Sequence, residues 1–114
     1  MPGERRAVIV AADLLLRARL EALARSAGLA PDVHRKLPAP GDLPEVLVLD
    51  LDAPDALDGV VAWRERWPDL RIVGFVSHVD AERRRAAEAV GCDVFPRGAS
   101  ARKDPGILLP GDPR

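Results

Sequence analysis

Three short stretches of this chain are apolar on both faces. They are Ala7-Val8-Ile9-Val10-Ala11, Val46-Leu47-Val48-Leu49 and Ile72-Val73-Gly74-Phe75-Val76. Each is too short for a helix, and β-branched residues dominate. A strand with one wet face alternates apolar and polar residues, and these do not alternate. They therefore need cover on both sides, which a parallel sheet between helices supplies. The intervening segments switch to a helical period. After Asp13, placed to cap a helix, Leu16, Leu20, Leu23 and Ala27 fall on one face, and Arg17, Arg19, Glu21 and Arg25 lie mostly off it. Gly28 suits the position just past the helix end. A second helix is predicted over 56–67, with Val60, Trp63 and Trp67 on its buried stripe and Pro68 ending it. A third is predicted over 81–90, capped by Asp80 and followed by Gly91. Weaker strand signals lie at 31–35, where a proline is tolerated only at a sheet edge, and at 93–95. Five strands alternating with helices predict an open, doubly wound α/β fold with right-handed crossovers.

Composition narrows the function classes. The 114 residues suit one domain. With 17 basic and 18 acidic side chains the net charge is -1, so the basic excess that binds nucleic acid is missing. One cysteine, Cys92, cannot form an internal disulfide, a zinc finger or a CxxC redox site. It is expected to pack as a small apolar residue. No apolar run approaches the ~18 residues of a membrane span, and no signal-peptide pattern opens the chain. The expectation is a cytoplasmic protein with no nucleic-acid or membrane partner.

Two segments depart from the alternation. The stretch 37–44 holds three prolines and a glycine, so it cannot be a helix. Beyond residue 100, Pro105, Gly106 and Pro110 break any helix, leaving one apolar patch, Ile107-Leu108-Leu109. The predicted organisation is a folded body over 1–100 and an irregular tail over 101–114.

In an open α/β sheet, polar function collects at the carboxyl ends of the strands. Here those ends carry Ala11, Ala12 and Asp13, then Asp50 and Asp52, then Ser77 and His78, then Pro96 and Arg97. Ser77, His78 and Asp50 do not make a hydrolase triad. Adjacent strand residues point to opposite sides, and no Gly-x-Ser-x-Gly elbow is present. No Gly-rich loop follows the first strand, so a nucleotide or other small ligand ranks lowest among partners.

Several segments together resemble the receiver domain of two-component response regulators. They are Val8-Ile9-Val10-Ala11-Ala12-Asp13-Leu14-Leu15, Val46-Leu47-Val48-Leu49-Asp50-Leu51-Asp52-Ala53-Pro54, the run from Trp67 to Ser77, and Ala89-Val90-Gly91-Cys92-Asp93. The resemblance covers about residues 6 to 98. It implies a flavodoxin-like, open parallel five-stranded sheet of order 2-1-3-4-5. It puts Asp50 at the phosphoacceptor position and Ser77 at that of the hydroxyl that hydrogen-bonds the phosphoryl group. The family's acidic pair after strand one is replaced by Ala11 and Ala12, with Asp13 one step later. Its lysine after strand five is missing, and Arg97 is the nearby cation that could contact phosphate. Mg²⁺ binding would fall to Asp13, Asp50 and Asp52. The helix between strands two and three and the last helix are lost or shortened.

The resemblance minus its chemistry implies a pseudo-receiver without metal or cofactor. Such a module is not an enzyme and acts by phosphorylation-independent protein–protein contact in bacterial signalling or transcription control. The alternative is a phosphoacceptor phosphorylated on Asp50. Asp52 is expected to be a solvated loop carboxylate, Ser77 a local hydrogen-bonding residue, and Arg83-Arg84-Arg85 a solvated helix face. Helix loss predicts apolar surface on the sheet. The proline loop, the tail or another chain, including a second copy in a homodimer, must cover it.

Overall fold

The computed structural model describes residues 5–77, 80–102 and 104–109. His78 and the last five residues, to which the sequence assigns a strand end and the tail, lie outside them. The elements are β1 (Arg6–Val10), α1 (Leu14–Ser26), β2 (Ala30–His34), β3 (Val46–Asp50), α2 (Ala56–Arg66), β4 (Arg71–Val76), α3 (Ala81–Ala89) and β5 (Cys92–Pro96). Two 3-10 turns follow, at Arg97–Ala101 and Pro105–Ile107. All five strands run parallel in the order β2-β1-β3-β4-β5, the order the resemblance implies.

The doubly apolar runs are the sheet centre, and β3 is buried at every residue. One face presents Ile9, Val48 and Phe75 to Leu16, Leu20, Leu23 and Ala24 of α1. The other presents Val10, Leu47 and Leu49 to Val60 and Trp63 of α2 and Ala87 of α3. Gly28, at φ 78°, lets the chain turn off the end of α1. Cys92 is buried, and burial pushes its thiol up to about 11. No helix among the described residues is long and apolar enough to cross a membrane.

Three α-helices cannot cover both faces of five strands, and irregular segments complete the job. No helix joins β2 to β3. Leu37 packs against the core there, on the α2 side. Prolines carry no N–H, so the loop's carbonyls need outside donors. Two indoles supply them: Trp63 Nε1 donates to the Pro38 carbonyl at 2.8 Å, and Trp67 Nε1 to that of Gly41 at 3.2 Å. On the α1 face the cover comes from Ala99, Ile107 and Leu108, all buried. Arg71 pins this segment by donating to the carbonyls of Ile107 and Leu108, each at 2.6 Å, and by pairing with Asp93. The core thus extends past residue 100 into the segment that the sequence assigns to the tail. Its backbone there includes the 3-10 turn Pro105–Ile107. The surface that the lost helices leave bare is covered by the proline loop and by this segment. Arg64 serves the lower edge, donating to the carbonyls of Leu70, Val90 and Gly91 at 2.6, 3.0 and 3.1 Å.

At Gly74, in the middle of β4, a Cβ would collide with Cγ and Cδ1 of Leu51. Leu51 is fully buried and cannot yield. Gly74→Ala is therefore expected to lower unfolding stability by about 2 kcal/mol or more, read from the urea midpoint.

Candidate functional site

Three strand ends converge on one guanidinium. Asp50 closes β3 opposite Phe75 of β4. It is largely buried, and both of its oxygens are engaged. Oδ1 accepts from the Asp52 amide at 2.9 Å, a local turn set by the Asp50-Leu51-Asp52 spacing. Oδ2 accepts from Arg97 Nη1 at 3.0 Å. Arg97 is the first residue after β5, and parallel register sets it beside the ends of the central strands. Its Nη1 lies 3.6 Å from Asp52 Oδ2, and its Nη2 lies 3.4 Å from Asp13 Oδ2. One side chain thus bridges three carboxylates that lie up to 84 residues away in sequence.

Each carboxylate is also fixed by a second bond. Asp13 caps α1, its Oδ1 accepting from the Leu16 amide at 2.9 Å. That amide, with Arg97 adding to it, holds the Asp13 carboxyl below the ordinary carboxylate value. Asp52 receives the Ser77 amide at 3.1 Å and the Ser77 hydroxyl at 2.8 Å.

Two sequence expectations need correction. Asp52 is not a solvated loop carboxylate: it is the acceptor that ties the end of β3 to the end of β4. Arg83 does not belong to a solvated helix face. It pairs with Asp80 at 3.0 Å and donates to the Leu51 carbonyl at 2.5 Å, fastening α3 to the loop after β3. Ser77 bonds across to another strand end instead of locally. Trp63 is buried as expected, and His34 sits on the edge strand against Asp32 at 3.1 Å. Arg84 faces Glu88 within its own helix.

These residues do not fit a divalent cation of the Mg²⁺ type. That ion takes near-octahedral oxygen ligation. The two positions after β1 are alanines, and the space among Asp13, Asp50 and Asp52 faces the Arg97 nitrogens. Among the described residues no group of three or more His, Cys, Asp or Glu side chains is placed to hold a metal ion. A positive charge already stands among these carboxylates, attached to the chain. Its planar fork contacts two or three oxygens at once, where an ammonium would act as a point charge. Both oxygens of Asp50 are engaged by contacts within the chain.

Arg97→Ala is expected to remove the cation from all three carboxylates at once, leaving their second bonds in place. Stability should fall by about 1–2 kcal/mol, a range set by charged hydrogen bonds that are partly screened by solvent. Asp13 should titrate at higher pH in this variant, still below the ordinary value because the Leu16 amide remains. In the parent protein the lowered Asp13 value contributes stability above the ordinary carboxylate pKa, and this is lost as pH falls through the lowered one. Carboxyl-carbon NMR titration and urea midpoints measure both effects.

No family model matches the sequence, and no curated protein does. Solved structures match the fold. The chemotaxis response regulator CheY4 of Vibrio cholerae superposes with a TM-score of 0.71 at 15% identity, over 93% of this chain and 100% of that one. A response regulator receiver protein from Burkholderia phymatum gives 0.61 at 21% identity, over 96% and 99%. An atypical orphan response regulator, described as having a phosphorylation-independent regulatory mechanism, gives 0.63 at 15% identity, over 84% and 88%. At these identities what is shared is the architecture: this chain has the fold of response-regulator receiver domains.

Proposed function

We propose that this domain is a receiver-like signalling module that works without phosphoryl transfer, by binding another protein. The observation that carries this reading is the Arg97 clamp. Phosphoryl transfer to a carboxylate needs a free oxygen nucleophile, a cation on the phosphoryl oxygens and a donor for the transferred group. Here Asp50 is engaged at both oxygens, the cationic group neutralises Asp50 itself, and the Ser77 hydroxyl is committed to Asp52. Each of these groups is already engaged by a contact within the chain, which supports the reading. A similar fold in a regulator described as phosphorylation-independent supports the same direction.

Binding also has a surface to work with. Leu14 and Leu15 stand 70% and 61% exposed on the first turn of α1, next to Asp13 and its pair with Arg97. Paired leucines on a rigid element beside fixed charges suit a protein partner. In this reading the module is cytoplasmic, has no enzymatic activity, and serves bacterial signal transduction or transcription control. The partner is another protein or a second copy of the chain. Sedimentation distinguishes them, since self-association gives species heavier than the 12.3 kDa chain.

Incubation with acetyl phosphate, or with beryllofluoride, in the presence of Mg²⁺ is expected to leave Asp50 unmodified by intact mass and by amide NMR. A stoichiometric adduct on Asp50 would overturn the proposal and establish the phosphoacceptor alternative.

A further inference from the structure

The chain leaves β1 toward the face covered by α1 and leaves β3 toward the face covered by α2. β1 and β3 are neighbours in the sheet. Adjacent strands whose connections depart to opposite faces leave a crevice outside their carboxyl ends. Here the crevice is enlarged, because the link from β2 to β3 is a loop and Leu37 alone stands where a helix would cover more. The result is a cavity of about 630 Å³ between the ends of β1 and β3 and the start of α2. That is within the range of small-molecule sites. It is a separate feature from the Leu14 and Leu15 surface, and Asp50 of the strand-end site stands in its lining.

The walls indicate what could enter. Val10, Leu37, Ala53 and Ala56 give an apolar floor. The lining carries Arg35 and Lys36, exposed just after β2. It also carries Asp55 and Asp58, from the start of α2. Among the described residues none of these four has an ion-pair partner, unlike the clamped charges around Arg97. Asp55 also adopts a left-handed backbone (φ 64°), and its carboxylate makes no helix cap. Both of its oxygens are therefore available in the lining. No Gly-rich loop lies nearby, and the carboxylates already occupy the start of α2, so a nucleotide phosphate does not fit there. A ligand with charges of both signs does.

We propose that this crevice binds a small zwitterionic molecule with an apolar body, of the class of free amino acids with hydrophobic side chains. Its carboxylate lies between Arg35 and Lys36, and its ammonium faces Asp55 and Asp58. Its apolar part rests on Val10, Leu37 and Ala53. Binding would bear on Ala53 and Pro54, immediately after the segment that holds Asp50 and Asp52.

The test is NMR titration of the full chain with L-leucine, L-phenylalanine, N-acetyl-leucine and leucine amide. The last two each lack one charge. The expected result is saturable shifts at the amides of Ala53, Asp58 and Gly59 with the zwitterions. Affinity should be about tenfold weaker for each single-charge analogue. Arg35→Glu, an exposed substitution that leaves the core untouched, should weaken L-leucine about tenfold or more. Ala53→Trp should fill the cavity and abolish binding. No saturable shift from any probe up to about 10 mM overturns the proposal. So does equal binding of the single-charge analogues, or shifts confined to another part of the domain. Because Asp50 is in the lining, the titration is run on the unphosphorylated chain, and its failure is then distinct from any result of the acetyl phosphate test.

Discussion

A sheet buried on both faces has to be roofed twice, and in this protein helices supply only part of the roof. Everything else follows from how irregular backbone can be laid over apolar strands without stranding its polar groups. A loop pressed on a core leaves carbonyls without partners, and each orphan costs roughly 1–3 kcal/mol. This chain answers with long side chains that end in N–H donors. Trp63 and Trp67 reach the proline loop, Arg71 reaches the segment at 107–108, and Arg64 gathers carbonyls from the ends of two helices. Arginine suits this role because its five donors spread over a rigid plane, so one side chain can tie together segments far apart in sequence.

The site at the strand ends uses the same device with carboxylates in place of carbonyls. Arg97 gathers Asp13, Asp50 and Asp52, and Asp52 in turn holds Ser77. A receiver-like scaffold with a removable cation could change state when that cation, or a phosphoryl group, arrives. A scaffold whose cation is part of the chain has a fixed charge pattern at its strand ends. That fits a module read by shape and surface, and Arg97 offsets the repulsion among the three acidic residues.

Much of the fold was legible because burial on both faces leaves a compositional mark. β1, β3 and β4 are continuous apolar runs, and the caps Asp13 and Asp80 hold their helices as their positions suggested. The strand order was not in the periodicity. It came from the resemblance, since nothing local in β2 says which neighbour it takes. The site was legible in its members but not in its bonding. Asp50, Ser77 and Arg97 were visible as strand-end residues. Asp52 and Arg83 were misread because a loop carboxylate and an arginine run look the same in sequence whether solvated or engaged. Their partners lie 25 and 32 residues away, across a sheet. The Asp-x-Asp spacing was a usable signal, since an aspartate readily accepts the amide two residues on. Likewise Ile107-Leu108-Leu109 signalled an apolar patch needing burial, yet only the reach of Arg71 shows where it goes.

Arg97 has a second position in the molecule besides its charge. It begins the turn that carries Ala99 and Ser100 onto the α1 face, and the Ser100 hydroxyl bonds back to its carbonyl at 2.7 Å. The residue that neutralises the strand-end acids is therefore also the hinge point of part of the sheet's roof. The turn is held through the main-chain carbonyl of residue 97, whereas the carboxylates are held through its side chain. Putting a lysine at 97 would keep the turn's bond and replace a planar fork by a point charge. One position thus serves two separable purposes: its backbone anchors the roof, and its side chain alone sets the charge pattern at the strand ends.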